Sequence, residues 1–248
     1  DPSGWAQKLG AEILPGGSLR LHNAGNIPAL PGYADGQWWI QDCAAALPVK
    51  LLGDIKGKEV LDLCAAPGGK PAQLINAGAA VTAVDISAAR LDTLRRNLER
   101  LNLSAEIICA DALDFLQNPP QQYDIILLDA PCSATGTFRR HPELVHAKDP
   151  DDVAKMCLLQ QQLLDAAVPA LKKNGILLYC TCSIARREGE QQIAGFLKRQ
   201  TDCHIIPLKG GAFKAGITPE GFLRILPDTL ADRGGTDAFF AALIEKVK

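Results

Sequence analysis

The chain has 248 residues, of which 47% are hydrophobic and 22% are charged, and its formal net charge is −2. This size and composition fit one packed α/β domain with an appendage, and the slightly acidic balance gives no overall basic footprint for nucleic-acid binding. No apolar run approaches the roughly 18 residues of a membrane span, and no leader precedes a cleavage site, so we expect a cytoplasmic protein without a membrane partner.

The eight cysteines are irregularly spaced and form no Cys-x-x-Cys pair. This spacing argues against both a secreted disulfide framework and a zinc ribbon, so we expect reduced thiols. The sequence begins at Asp1 and its single methionine is Met156. We therefore expect the natural translation start to lie outside the sequence shown.

Residues 1–53 contain many Gly and Pro positions, three tryptophans and only short apolar runs. They are predicted to form an irregular or α+β lead-in that packs on the rest of the chain. The adjacent Trp38 and Trp39 would suit stacking on nucleic-acid bases, but packing against the core is the favoured interpretation.

From Lys56 onward β-like runs alternate with helical periodicity, which favours an α/β fold with a mostly parallel sheet and helices on both faces. Residues 54–248 are predicted to form this main domain. One predicted helix begins near Ser87, and two others span Asp151–Leu171 and Arg187–Arg199. The predicted strands are Glu59–Leu63, Val81–Asp85, Glu106–Ala110, Asp124–Leu128, Ile176–Thr181 and Ala238–Lys246.

A glycine turn follows the first predicted strand, and a helix is expected after it. Glycine lets the backbone approach a ligand closely, and the free N–H groups that open the next helix favour a carboxylate or phosphate. Walker A is excluded because Pro71 follows Lys70, and the Gly-x-Gly-x-x-Gly dinucleotide pattern is missing. The turn reads Cys64-Ala65-Ala66-Pro67-Gly68-Gly69-Lys70.

Three later β-like runs end in acids, namely Asp85, Asp111 and Asp129. An acid after the second strand suits the two hydroxyls of a ribose. Asp111 is a candidate acceptor for an adenine amino group. The alternative is that each aspartate caps a turn. A glycine loop with these acids, and without a phosphate-binding signature, indicates S-adenosylmethionine as the cofactor.

Two cysteines close apolar β-like runs, where an open α/β sheet places its active site. They are Cys132 in Asp129-Ala130-Pro131-Cys132 and Cys182 in Thr181-Cys182-Ser183. Two candidate thiols beside one cofactor loop suggest group transfer through a covalent intermediate.

At these motifs the chain resembles the Sun-type RNA cytosine-5 methyltransferases, from about Gly32 to the C-terminus. The resemblance implies a class I S-adenosylmethionine-dependent methyltransferase fold, Rossmann-like, with a seven-stranded and mostly parallel sheet. It also implies formation of 5-methylcytosine in 16S ribosomal RNA of the small subunit. The matching segments are 62–70, Ala83-Val84-Asp85, 129–136, Arg139-Arg140-His141-Pro142 and Thr181-Cys182-Ser183.

The resemblance also implies residue roles. Cys182 would be the nucleophile, while Cys132 would help to release the enzyme from the methylated product. Lys70 and Asp129 would face the target cytosine. The cofactor would be lined by Cys64, Ala65, Ala66, Pro67, Gly68, Gly69, Lys70, Asp85, Asp111 and Asp129.

The sequence departs from the family pattern at Pro71, where threonine is usual, and proline is acceptable in a first helical turn. Family members usually carry an all-helical RNA-binding domain before the catalytic half, and we expect such a domain upstream of Asp1.

The implied chemistry needs a thiolate, because thiolate addition at carbon 6 makes carbon 5 of cytosine nucleophilic. A free cysteine titrates near about 8.5, so positive neighbours such as Lys70 and Arg139 or Arg140 are expected to favour ionisation. Asp129, in its protonated form, is the expected acid at N3. DNA cytosine-5 enzymes use the Pro-Cys cysteine instead, and the Thr181-Cys182 pair is what favours the RNA arrangement.

The remaining cysteines, Cys43, Cys64, Cys109, Cys157, Cys180 and Cys203, are expected to be small core or near-core residues. His141 and His146 lack paired ligands, so no metal site is expected. Gln41-Asp42 matches a family position near the active site. Arg139, Arg140 and His141 form either a phosphate-binding patch or a solvated basic turn.

Two other functions stay open at this point. In the first, the chain is a cytosine-5 methyltransferase that acts on another RNA or on DNA. In the second, it is a non-catalytic RNA-binding or ribosome-assembly module, although such a module needs neither thiol. The sequence does not give the oligomeric state, and a monomer is favoured.

Overall fold

The lead-in contains two short helices and a small hairpin in the computed structural model, which describes residues 1–144, 150–210 and 214–248. Helix α1 (Pro2–Leu9) is capped by Asp1, which accepts a hydrogen bond from the backbone N of Ser3. Strands β1 (Glu12–Ile13) and β2 (Leu19–Arg20) pair antiparallel. Helix α2 is Leu47–Leu51.

The central sheet has eight strands in the order β5-β4-β3-β6-β7-β10-β8, with β9 also paired to β10. Strands β3 to β7 are parallel to one another, whereas β10 runs antiparallel to β7, β8 and β9. The strands are β3 (Glu59–Leu63), β4 (Ala80–Asp85), β5 (Glu106–Cys109), β6 (Tyr123–Asp129), β7 (Leu171–Thr181), β8 (Cys203–Ile205), β9 (Leu223–Ile225) and β10 (Phe239–Lys246).

Both faces of the sheet carry buried side chains, since successive residues of a strand point to opposite faces. Ile125 and Leu127 of β6 join one hydrophobic cluster, while Ile126 and Leu128 join the other. The covering helices are α3 (Gly69–Asn76), α4 (Ala88–Arg100), α5 (Ala112–Gln117), α6 (Pro150–Ala170) and α7 (Glu190–Arg199).

Helix α4 confirms the prediction of a helix that begins near Ser87. Ser87 caps it by accepting from the backbone N of Arg90, and Leu91, Leu94 and Leu98 are its buried residues. These leucines recur every three or four positions, so they share the face that packs on the sheet.

Three features differ from the expectation. The sheet has eight strands rather than seven, because the three-residue strands β8 and β9 both pair with one edge of β10. Strand β7 begins at Leu171, and its register with β6 shifts before Ile176, so Asn174 lies within the strand at a positive φ. The expected helix Arg187–Arg199 is a 3₁₀ turn (Arg186–Glu188) followed by α7.

The lead-in is tied to the main domain by polar contacts. Arg20 donates to the carbonyl of Gly235 at 2.6 Å, and Cys43 Sγ lies 3.0 Å from Thr236 Oγ1. The division of the chain at residue 53 stays a prediction. Within the described ranges, no helix is long and apolar enough to cross a membrane.

Candidate active site

The glycine loop contains one position, Gly68, that suits only glycine. Gly68 has a φ of 108°, and a Cβ there would lie 3.1 Å from Leu94 Cγ. An L-residue is strained at such a φ. Gly68 caps α3, and Pro71 occupies the first turn of that helix, where a backbone N–H has no helical acceptor. The loop is thus held close to α4.

Asp85 binds the glycine loop from the end of β4. Its Oδ2 accepts from the backbone N of Ala66 at 3.1 Å, and its Oδ1 accepts from the backbone N of Ser87 at 2.9 Å. Arg90 lies 3.4 Å from Asp85 Oδ2 and also donates to the carbonyl of Ala66. This nearly fully buried carboxylate fixes the loop relative to α4.

Asp111 has the capping role that was the alternative in the sequence. It is the N-cap of α5, and its Oδ1 accepts from the backbone N atoms of Leu113 at 2.8 Å and Asp114 at 3.3 Å. A contact with adenine remains a prediction for this residue.

A cavity of about 660 Å³ opens over the glycine loop. Such a volume suits a nucleoside-sized ligand. The loop residues from Ala65 to Lys70 line it together with Asp129, whereas Cys64, Asp85 and Asp111 do not. Lead-in and α4 residues complete the wall, including Tyr33, Trp39, Gln41, Asn97 and Arg140.

Asp62 is a cavity residue that the sequence reasoning missed. It is 0% exposed, and neither carboxylate oxygen has a hydrogen-bond partner among the described residues. Burial and the nearby charge of Asp129 raise its pKa well above the usual range. A signal was present, because an acid inside a strand that is buried on both faces is rarely tolerated without a ligand or partner.

Lys70 and Asp129 form an ion pair at the wall of the cavity. Lys70 Nζ lies 2.7 Å from Asp129 Oδ2, and Lys70 is only 8% exposed. Burial opposes the ammonium form, but the charges of Asp129 and its neighbours outweigh burial and raise the pKa of Lys70. Cys180 Sγ donates to the other oxygen of Asp129 at 3.5 Å. The raised pKa favours the ammonium form of Lys70 in this pair.

The two candidate thiols meet at the ends of β6 and β7. Cys132 Sγ lies 3.5 Å from Cys182 Sγ, within the range of a sulfur hydrogen bond. Although fifty positions separate them, the parallel pairing of β6 and β7 places both loops at the same edge of the sheet.

The pair is electrostatically unequal. The hydrogen bond from Cys132 lowers the pKa of Cys182; burial and Asp129 oppose that shift, and Lys70 adds to it. The hydrogen bond to Cys182 and burial raise the pKa of Cys132 well above its usual range. The direction of these two shifts favours Cys182 as the thiolate and Cys132 as the thiol that donates to it.

The arginines of the basic turn form ion pairs with carboxylates. Two nitrogens of Arg140 donate to Asp237, with Nε and Nη2 at 2.9 and 2.5 Å from Oδ2. Arg139 lies 3.4 Å from Asp42 and 3.5 Å from Asp237. Both guanidinium groups pair with carboxylates distant in sequence and remain partly exposed, so the choice between a phosphate-binding patch and a solvated turn stays a prediction.

Trp38 and Trp39 of the lead-in pack against other residues, which is the favoured interpretation of these aromatic side chains. Trp38 contacts Tyr33 with ring centroids 5.3 Å apart, and Trp39 packs against the core while donating to Gln41 Oε1 at 3.0 Å. Gln41 donates in turn to Gln73 Oε1 at 2.9 Å, so it supports the start of α3.

The other cysteines differ in burial. Cys43, Cys180 and Cys203 are buried and Cys64 and Cys157 are half-buried, but Cys109 is exposed, against the expectation. It is exposed because β5 is an edge strand of the sheet. His141 contacts Glu143, and His146 lies outside the described residues. No cluster of three or more metal-binding side chains occurs in the described ranges.

Comparison with known proteins gives the family. The protein-family model described as 16S rRNA methyltransferase RsmB/F matches residues 49–245. The chain belongs to this family. Ribosomal RNA small subunit methyltransferase B of Pseudomonas syringae pv. tomato is 41% identical over 227 residues, covering 90% of this chain and 50% of the relative. The chain spans about half the length of the curated relatives it matches.

Solved structures share the fold of this RsmB/F family member. A methyltransferase homolog protein from Pyrococcus horikoshii superposes with a TM-score of 0.82 at 28% identity, covering 99% of this chain and 83% of that one. NSun6 from Pyrococcus horikoshii, solved with SFG, has a TM-score of 0.76 at 24% identity and covers 90% of this chain and 57% of its own.

Proposed function

We propose that this chain transfers a methyl group from S-adenosylmethionine to carbon 5 of a cytosine in small-subunit ribosomal RNA. The observation that carries the proposal is the unequal thiol pair, with Cys132 and Cys182 at 3.5 Å, beside the Lys70–Asp129 pair that lines the cavity. Membership in the RsmB/F family supports the substrate class.

The cavity residues fit S-adenosylmethionine. The unpartnered carboxyl of Asp62 suits the cationic ammonium group of the ligand, and the backbone of the glycine loop suits its carboxylate. Asp85 does not line the cavity and holds the glycine loop from behind, and it remains the proposed partner of the ribose hydroxyls. Ile86, apolar yet 67% exposed at the end of β4, offers a face for adenine. When bound, the cofactor supplies an electrophilic methyl group on a sulfonium centre.

Cys182 begins the reaction in this proposal. Its thiolate adds to carbon 6 of the cytosine, the π electrons of the 5,6 bond move toward N3, and carbon 5 becomes the nucleophile that takes the methyl group. Negative charge develops at N3 during the addition, so a proton donor there stabilises the transition state.

Lys70 provides that proton through its partner. Asp129 in its protonated form is the proposed acid at N3, and the raised pKa of Lys70 favours an ammonium group beside it. We assign Asp129 as the group that faces N3 and Lys70 as the donor behind it. A shift of the proton along the 2.7 Å contact then makes Asp129 the acid.

Cys132 acts at the end of the cycle. A base removes the carbon 5 proton, N3 returns its proton to Asp129, the 5,6 double bond re-forms and the bond from carbon 6 to Cys182 breaks. The departing sulfur recovers its negative charge, and the Cys132 thiol stabilises it by donating a hydrogen bond across 3.5 Å. Because the pKa of Cys132 is raised, this role suits it better than accepting the carbon 5 proton.

The cellular setting is also part of the proposal. All eight cysteines are free thiols, which is in keeping with a reducing compartment. We place the protein in the cytoplasm, as a monomer.

The test is transfer of labelled methyl groups to small-subunit ribosomal RNA, followed by digestion to nucleosides. The expected product is 5-methylcytidine, formed by the parent chain and abolished by Cys182→Ala. Cys203→Ala, on the remote strand β8, is the matched control and should leave transfer unchanged.

Two outcomes would contradict the proposal. Equal turnover by Cys182→Ala and the parent would exclude Cys182 as the nucleophile. Preferential labelling of DNA, or RNA binding with no transfer, would favour one of the other two functions.

A further inference from the structure

A buried glutamate lies between the two cysteine loops. Each cysteine is followed by a serine, Ser133 after Cys132 and Ser183 after Cys182, and both serines are fully buried. Glu188, in the 3₁₀ turn that precedes α7, is 0% exposed and contacts both serines. The sequence gives no sign of this contact, since Glu188 stands in an exposed-looking Arg-Arg-Glu-Gly-Glu run.

The carboxylate of Glu188 accepts four hydrogen bonds. Its Oε1 accepts from the backbone N of Ser133 at 2.8 Å and from Gln160 Nε2 at 3.0 Å. Its Oε2 accepts from the hydroxyls of Ser133 and Ser183, each at 2.5 Å. One oxygen therefore joins the residues that directly follow the two cysteines.

The backbone of the turn is fixed as well. The carbonyl of Glu188 accepts from the Tyr179 hydroxyl at 2.8 Å, and Tyr179 is a buried residue of β7. Gln160 of α6 also donates to the carbonyl of Pro131 at 2.8 Å, just before Cys132. The glutamate is thus held by β7 and α6 and cannot follow a displaced loop.

No salt bridge links Glu188 to a cation in the described ranges of the chain. A buried carboxylate without a cation is costly unless hydrogen bonds compensate it. Its charge also acts on the thiol of Cys132. The hydrogen bond to Cys182 and burial raise the pKa of Cys132, and the charge of Glu188 adds to that effect.

We propose that Glu188 is a positioning residue that clamps the two cysteine loops together and thereby keeps the Cys132 and Cys182 thiols within hydrogen-bond distance, where one proton is shared unequally between them. The catalytic meaning of this asymmetry rests on the proposed function, but the clamp itself does not. It can therefore be tested on the protein alone.

The experiment measures alkylation of Cys132 and Cys182 by iodoacetamide in the full chain, without RNA or cofactor, from about pH 6 to about pH 10 so that thiol titration is spanned. Mass spectrometry gives the rate at each cysteine. In the parent, Cys182 should react at lower pH than Cys132. In Glu188→Gln, which keeps the volume, the amide cannot accept all four hydrogen bonds and the charge is removed, so the ratio of Cys132 to Cys182 labelling at neutral pH should rise about tenfold.

Asp124→Asn is the matched control. Asp124 also accepts from a backbone N, that of Glu59 at 2.9 Å, and from Lys172 at 3.0 Å, but it lies at the opposite end of β6. It should lose stability without changing the labelling ratio. A parent-like ratio in folded Glu188→Gln would overturn the proposal.

Ser183→Ala gives a second test that retains the charge and removes one arm of the clamp. The Cys182 labelling profile should move to higher pH, because the loop is no longer held against Cys132. An unchanged profile would equally overturn the proposal. If the parent transferred no methyl group but its two cysteines were still labelled unequally, the proposed function would be refuted and the clamp would remain supported.

Discussion

The glycine loop and the cysteine loops are each held by one buried carboxylate, and the two carboxylates differ in what balances their charge. Asp85 binds the backbone of the glycine loop and faces Arg90 at 3.4 Å. Glu188 binds the loops after β6 and β7 through four hydrogen-bond donors, and in the described ranges it has no cationic partner.

The difference separates two kinds of site. The charge of Asp85 acts on the groups around the glycine loop, where it adds to the effect of burial in raising the pKa values of Asp62 and Cys64, and its carboxylate fixes a loop that suits binding of a ligand through N–H groups. A carboxylate without a cation fixes the backbone and also imposes a field, which suits a pair of thiols that must share a proton unequally. Changes near Asp85 should therefore alter ligand affinity, and changes near Glu188 should alter thiol ionisation.

Lys70→Met should have the largest effect, because Lys70 lies between the two regions. Removing this ammonium leaves Asp129 without its partner at 2.7 Å and should lower the free energy of unfolding by about 3 kcal/mol. The pKa of Cys182 should rise, since Lys70 is one of the groups that lower it. Urea unfolding and the pH profile of Cys182 alkylation measure the two effects.

Lys172→Met is the control for that substitution. Lys172 pairs with Asp124 at 3.0 Å near the surface, and its loss should cost only about 0.5 kcal/mol. If Lys70→Met were as mild as Lys172→Met and left Cys182 alkylation unchanged, the ion pair would not tune the thiol.

Asp85→Ala should have the next largest effect, and it tests the separation directly. It leaves the N–H groups of Ala66 and Ser87 without their acceptor, which should cost about 2 kcal/mol of stability. Calorimetry should show that the affinity for S-adenosylmethionine falls at least about tenfold, equal to about 1.4 kcal/mol of binding free energy.

Cys182 alkylation should keep its pH profile in Asp85→Ala. Asp92→Ala, on the exposed side of α4, should change neither quantity. A shifted thiol profile in Asp85→Ala would show that the two regions are not electrostatically separate.

Gly68→Ala should have the smallest effect. The positive φ of 108° and the 3.1 Å approach to Leu94 should together cost about 1 to 2 kcal/mol. Gly57→Ala is the matched control, since its φ of 73° is also positive but its added Cβ would meet nothing within 4 Å. Both variants should lose stability, and only Gly68→Ala should bind the cofactor more weakly. Equal affinities would show that the loop backbone does not contact the ligand.

The sequence located the residues that follow buried strands. Asp85, Cys132 and Cys182 were placed correctly at one sheet edge, because an apolar run that ends in a polar residue marks the carboxyl end of a parallel strand. The strands β8 and β9 were missed because three residues are too short to show a period.

Contacts between residues distant in the chain were not readable. Nothing local shows that Arg140 pairs with Asp237, or that Glu188 reaches Ser133. The inequality of the two thiols depends on such contacts. The sequence therefore predicted which thiols meet, while their protonation required the folded structure.

The measurement that tests the central claim most directly is covalent trapping on RNA that contains 5-fluorocytosine, in the presence of S-adenosylmethionine. Fluorine at carbon 5 blocks the final proton loss, so the bond from the enzyme to carbon 6 persists. The account predicts a protein–RNA adduct that peptide mapping places on Cys182, and none with Cys182→Ala. An adduct on Cys132 would contradict it.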